Sequence, residues 1–375
     1  MRPRVYLDYN ASTPLDPRVA QEMAEKQSIF GNPSSVHAEG REARALVDEA
    51  RVSLGRLLHC DHRQIVFTSG GTEANNLAVC GTARAHAHRG RHLITSAIEH
   101  SSVLSACRQL QKEGFEVTFV EPTGDGIITV DAMESAIRKD TILITIMMAN
   151  NEVGTLQPIA EIAKLAHERG ILVHTDVIQA VGKIPVDVEQ LGVDLLSVSA
   201  HKFYGPKGVG ALYFQPAVDL LPLLRGGSHE KGLRAGTENV LGIHAMGFAA
   251  SLLVQEGPPD LIPLRRQLEA ELEKISLKIL CKDAPRLPNT VNFYSEHWLG
   301  ESMVIALDLQ GIAVSNGSAC SAGIIEPSHV IRALGYNDLV ARSVIRVSFG
   351  RWTEPNDIEY FIRVVHDLYR GGTTS

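Results

Sequence analysis

The chain is short of the features that mark disulfide-stapled, membrane-embedded or nucleic-acid-binding proteins. Only five cysteines (Cys60, Cys80, Cys107, Cys281 and Cys320) occur among 375 residues. An odd number at irregular spacing fits neither a disulfide framework nor a zinc site, and no metal is expected. Long apolar runs are missing too. The best stretches, 142–149 and 240–254, are too short or too interrupted for the roughly 20 residues that span a bilayer. The opening residues from Met1 to Asp8 carry charge and leave no room for the apolar core of a secretion signal, so a cytoplasmic address with no membrane partner is expected. Excess basic charge is the third absence: 36 Lys and Arg against 43 Asp and Glu give a formal net charge of -7. Nothing supplies a basic stripe for a phosphate backbone, and direct nucleic-acid binding is not expected.

What is present reads as a large soluble chain with room for two cores. From about residue 60 to 215, β-rich runs at 65–67, 92–95, 117–120, 141–148, 171–174 and 195–198 alternate with amphipathic helical stretches. Several runs are almost wholly apolar, as in a parallel sheet covered on both faces. Asp16-Pro17 offers a cap and a first-turn proline, and Thr72 opens a helix directly after Ser69-Gly-Gly71. Gly257-Pro-Pro259 ends a long apolar helix. Beyond it, a helix at 261–275 and strands at 290–293 and 346–349 predict a smaller α+β domain. The expected division is 16–257 for a large α/β domain and 1–15 with 258–375 for the small one.

The chemistry concentrates where strands hand over to helices. Lys202 follows an apolar strand within Ser199-Ala-His-Lys-Phe-Tyr-Gly-Pro206; an amine stripped of water there loses basicity and becomes able to attack a carbonyl as a Schiff-base lysine. Ser199 and His201 beside it can hydrogen-bond a phosphate. Gly71 and Thr72 sit where a strand runs through two glycines into a helix start, the geometry of a phosphate cup. Asp176, past an apolar strand in His174-Thr-Asp-Val-Ile-Gln179, would suit a protonated ring nitrogen. His100, at another junction, can stack on a flat ring or move protons. Each feature alone has a plainer reading: an exposed lysine, a bare loop, a turn-capping aspartate, a satisfied core histidine. Together they match the needs of pyridoxal 5'-phosphate, whose ring accepts electrons while its nitrogen stays protonated.

Tyr6-Leu-Asp-Tyr-Asn-Ala-Ser-Thr-Pro14, Gly31-Asn-Pro-Ser-Ser-Val-His37, Thr68-Ser-Gly-Gly-Thr-Glu-Ala-Asn-Asn76, Glu99-His-Ser-Ser-Val103, Ala149-Asn-Asn-Glu-Val-Gly154, Ser199-Ala-His-Lys202, Arg234-Ala-Gly-Thr-Glu-Asn239 and Gly317-Ser-Ala-Cys320 together resemble the ordered signature of the NifS/IscS-like cysteine desulfurases. Those are class-V aminotransferase-family enzymes of pyridoxal-phosphate fold type I. The resemblance implies an α/β large domain with a mostly parallel seven-stranded sheet plus a smaller α+β domain. It also implies the conversion of L-cysteine to L-alanine. By the same resemblance Lys202 carries the cofactor, Asp176 pairs with its ring nitrogen, Gln179 bonds its ring hydroxyl, and His100 stacks and moves protons. Gly71, Thr72, Ser199 and His201 hold the phosphate, completed by Thr237 from a second subunit, so a homodimer is implied. Asn151 lies beside cofactor and substrate, Arg346 clamps the substrate carboxylate, and Cys320 receives the sulfur as a persulfide.

The sulfur would then pass to an acceptor such as an iron-sulfur scaffold or a tRNA-thiolation protein. A selenocysteine lyase is the alternative enzyme, and a non-catalytic sulfur carrier the alternative outside catalysis. The chain departs from the family pattern at Ser228 and His229, at Val177-Ile178 after Asp176, and at Ile324-Ile325 in the cysteine loop. Small polar neighbours predict that the segment 315–326 is exposed and mobile.

Overall fold

The computed structural model describes residues 4–317 and 326–372. Cys320, with most of the segment expected to be mobile, lies outside the described residues. Seven strands form the main sheet in the order Ile65–Thr68, Gly210–Phe214, Leu195–Ser199, Leu172–Asp176, Thr141–Met147, His92–Ser96 and Glu116–Val120. All neighbours run parallel except Gly210–Phe214, which pairs antiparallel on both sides. The fold therefore matches the expected α/β arrangement, with one strand that the glycine-rich stretch before it conceals. The four strands 65–68, 92–96, 141–147 and 195–199 are buried at every position. That is why they carry continuous apolar runs and not an alternation.

Two observed edges differ from the sequence expectation in an informative way. The strand expected at 171–174 runs as Leu172–Asp176. Thr175 and Asp176 are polar, but pairing places Asp176 opposite Met147 on one side and Ser197 on the other. The ladder thus carries the carboxylate to the last position of the strand and does not leave it just beyond. The helix after Ser69-Gly-Gly71 starts as expected at Gly71–Asn76 but passes through a π-turn at Leu77–Gly81 before Thr82–Ala85.

Helices cover both faces of the sheet. On one side Ala38–Leu58 lies against Val240–Glu256, and a Cβ at Gly247 would come within 2.3 Å of the Ala50 Cα; only glycine permits this approach. Asp16 caps Pro17–Lys26 by accepting the Arg18 N–H at 2.9 Å. A second core gathers Val5, Leu7, Phe293, Ile345, Val347 and Phe361. It is built on the antiparallel strands Lys278–Ile279, Thr290–Tyr294 and Val344–Ser348. The N-terminal strand Val5–Tyr6 joins this part by pairing in parallel with Ile312–Ala313. Among the described residues no helix is long and apolar enough to cross a membrane.

Candidate active site

The strand ends of the main sheet surround a cavity of about 300 Å³, at the small end of the range that holds small ligands. Gly71, Thr72, His100, Asn151, Asp176, Gln179, Ser199, His201 and Lys202 all line it. Residues spread over more than 130 positions of sequence thus meet in one place because parallel crossovers return every strand's C-terminal end to the same side.

Lys202 closes the short turn Ala200–Lys202 directly after Leu195–Ser199. Its amine donates to the carbonyl oxygens of Asn10 and Ala11, the latter at 2.9 Å. Burial pushes it down to about 8, and the Arg346 guanidinium acts the same way against Asp8 and Asp176. A fraction of free amine is therefore available near neutral pH.

Asp176 is buried beside it. One carboxylate oxygen accepts the Ile178 N–H at 2.9 Å and the other accepts from Asn75 Nδ2 at 2.7 Å. Burial still raises its affinity for a proton, with His100 opposing, so a cationic partner in the cavity would be welcome. His100 is the N-cap of Ser101–Lys112 and its Nδ1 accepts the Ser102 N–H. Burial lowers the basicity of its ring, against the pull of Asp176.

At the Thr72 side no side chain caps the opening amides of Gly71–Asn76. A Cβ at Gly71 would meet the Ile178 Cδ1 at 2.2 Å and the Ser199 Cβ at 3.3 Å, so glycine lets this backbone sit close against both at the cavity wall that Thr72 also lines. His201 is pushed down to about 4, first by burial and then by Lys202, which makes it a neutral hydrogen-bonding group. Gln179 donates through Nε2 to the Asn10 oxygen, while its own oxygen accepts from the buried Lys183 at 2.8 Å.

Arg346 stands behind this wall. It binds the Asn151 carbonyl at 2.9 Å and Asp8 at 2.7 Å, and its Nε finds no partner among the described residues. Thr237 is not part of the cavity; it lines a smaller pocket of about 90 Å³ with Ser69 and Arg234. Cys320 lies outside the described residues. The other four cysteines are free, and burial pushes Cys60, Cys107 and Cys281 up to about 12 and Cys80 up to about 11, which leaves them poor nucleophiles.

Sequence reasoning passed over Asn10, Ala11, Asn75, Ser102, Met147 and Lys183, and named Ile178 only as a departure from the family pattern. Asn10 and Ala11 act through backbone oxygens, which no side-chain motif reveals. Asn75 lies one helical turn beyond Gly71 and Ser102 in the first turn after His100, and that nearness to the two junctions was the available signal.

Comparison with known proteins agrees with the fold. The aminotransferase class-V family matches residues 5–361. The cysteine desulfurase IscS of Dictyoglomus turgidum is 47% identical over 374 residues, covering 98% of this chain and 95% of the relative. That of Aeromonas salmonicida is 47% identical over 377 residues, covering 98% and 93%. Among solved structures, a NifS-like protein from Rickettsia africae superposes with a TM-score of 0.89 at 32% identity, covering 98% and 99%. SspA in complex with cysteine gives 0.83 at 37%, covering 93% and 100%.

Proposed function

The chain belongs to the aminotransferase class-V family, and from that premise we propose that it is a pyridoxal-phosphate-dependent cysteine desulfurase. It converts L-cysteine to L-alanine, holds the sulfur as a persulfide on Cys320 and hands it to an acceptor protein, an iron-sulfur scaffold or a tRNA-thiolation protein. It acts as a cytoplasmic homodimer; free thiols at all four described cysteines suit a reducing compartment. The observation that carries the reading is the meeting of Lys202, Asp176, His100, Thr72, Ser199 and His201 around one cavity, in a chain 47% identical to an IscS cysteine desulfurase over nearly its full length.

The residues present fit the cofactor. A buried carboxylate short of a positive partner, a bare glycine beside uncapped amides and hydroxyls, and an amine pushed down to about 8 are what a ring nitrogen, a phosphate and an aldehyde require. When bound, the group supplies an electrophilic carbon and a conjugated ring that takes up negative charge. Asp176 would keep the ring nitrogen protonated, and Gln179 would meet the ring hydroxyl. Gly71, Thr72, Ser199 and His201 would hold the phosphate, with Thr237 of a second subunit completing it. Lys202 would supply the amine that holds the cofactor and, as a free amine, a base within the same cavity. His100 gives a second proton-moving group, and Arg346 beside Asn151 offers the guanidinium for the substrate carboxylate. The Cys320 thiolate would attack the substrate sulfur, and the carbon–sulfur bond would break with its electron pair staying on the carbon, which takes up a proton as alanine forms.

The test is product analysis with L-cysteine. The wild-type protein should release alanine and carry a persulfide that mass spectrometry places on Cys320. Cys320→Ser should keep the cofactor's visible absorbance yet form no persulfide and little alanine, since a hydroxyl is a far weaker nucleophile toward sulfur. Near-normal alanine release by that variant would refute the role of Cys320.

A further inference from the structure

Behind His100 runs a polar chain whose hydrogen positions are fixed by its ends. The Ser102 backbone N–H can only donate, and it points at His100 Nδ1 at 3.2 Å. That nitrogen must therefore be bare. Asn75 and Ser102 are both buried. The Asn75 Nδ2 gives one hydrogen to Asp176 Oδ2 at 2.7 Å and the other to Ser102 Oγ at 2.9 Å. A flipped amide would set its oxygen against the carboxylate, acceptor against acceptor. Its oxygen instead stays without a partner among the described residues, so this side chain is held for its two donors. Ser102 Oγ, already accepting from Asn75, turns its own O–H to His100 Nδ1 at 2.8 Å. Every arrow along Asn75, Ser102 and His100 then points the same way.

We propose, on the reading of the site given above, that Asn75 and Ser102 are positioning residues that hold His100 in the tautomer carrying its proton on Nε2. The ring exchanges protons with the cavity through Nε2, and taking a proton at Nδ1 means breaking both the helix cap and the serine bond. Asn75 ties the same chain to Asp176, so the group that faces the ring nitrogen and the group that moves protons are oriented by one amide. The charged and titratable side chains facing the imidazole are Asp176, Lys202 and His329, and burial together with Lys202 and His329 already lowers its basicity. Removing the donors to its neutral form therefore raises the imidazole's proton affinity.

The experiment has two readouts. With histidine labelled in ¹⁵N and His100 assigned through His100→Gln, nitrogen chemical shifts of the cofactor-loaded protein at pH 8 should report a bare Nδ1 and a protonated Nε2. In the pH profile of kcat, Ser102→Ala should move the acid limb upward by roughly half to one unit, the size expected for one lost hydrogen bond, with KM little changed. Ser102→Thr keeps the hydroxyl and should restore the profile. A proton on Nδ1 in the wild-type chain overturns the proposal, as does an acid limb that Ser102→Ala leaves in place. The shifts are read without turnover, so absence of desulfurase activity would count against the function and not against the tautomer.

Discussion

At the scale of single residues, Lys202 shows how position substitutes for chemistry. Its side chain is that of any lysine, but burial and the nearby Arg346 push the amine down to about 8 from 10.5. Only the unprotonated amine attacks a carbonyl, so the sign follows directly: capture of pyridoxal phosphate by the cofactor-free protein should speed up with pH and level off above about 8. Stopped-flow absorbance in the visible band measures this. A rate that still climbs tenfold per unit toward pH 10 would mean that burial does not lower this amine, whereas covalent capture that survives in Lys202→Ala would remove Lys202 from the role. The residues around this amine were legible because lysine, aspartate and histidine are unusual at strand ends. Asn10 was not legible, since its part in the site is a backbone oxygen that accepts from both Lys202 and Gln179. Lys183 hid for another reason: four residues beyond Gln179 it reads as an ordinary surface lysine, while the fold buries it and turns its amine back onto that glutamine.

At the scale of elements, the segment that carries Thr237 is pinned by a buried ion pair. Arg51, on the helix Ala38–Leu58, reaches both carboxylate oxygens of Glu230 at 2.9 and 2.6 Å and also the Ile65 carbonyl at 2.7 Å. Glu230 takes the Phe67 N–H at 2.8 Å as well. It does so from a left-handed backbone, with φ 45° at Glu230 and 61° at Lys231, a conformation that costs non-glycine residues energy and persists only where the surroundings hold it. Arg51→Met would leave a carboxylate buried without its cation, at a cost of about 3–5 kcal/mol, read as a lower urea midpoint and faster loss of cofactor. Adding Glu230→Gln should recover much of the stability, because the amide oxygen still accepts the Phe67 N–H and no charge is left behind. A loss below about 1 kcal/mol for Arg51→Met would mean that the pair is not what anchors the segment. Sequence gave little warning of this contact, which joins positions 179 residues apart. The strands show the same limit. Those with continuous apolar runs were readable, whereas Gly210–Phe214 follows a run of turn residues and declares itself only by filling the gap between Ile65–Thr68 and Leu195–Ser199.

At the scale of the whole molecule, we propose the division into residues 16–257 and residues 1–15 with 258–375. The separate core around Phe293 and Phe361 supports it, although Leu280, Leu287 and Val344 of the second part pack into the main core. The proposed dimer matters more for function, because Thr237 lies apart from the Lys202 cavity of its own chain. Phe30 and Val36, 85% and 88% exposed, are also large apolar side chains in want of a cover. Sedimentation should give twice the chain mass, but mixing two inactive variants is the sharper test. In a mixed dimer of Lys202→Ala and Thr237→Ala chains, the Lys202→Ala site also receives the altered Thr237 and carries both lesions. The other site keeps its own Lys202 and borrows an intact Thr237, so it is whole. Co-refolded mixtures, in which about half the dimers are mixed on random pairing, should regain about a quarter of wild-type activity, far above either parent. If Thr237 instead served its own chain, each site in the mixed dimer would still carry one lesion, and activity would remain at the mean of the two parents.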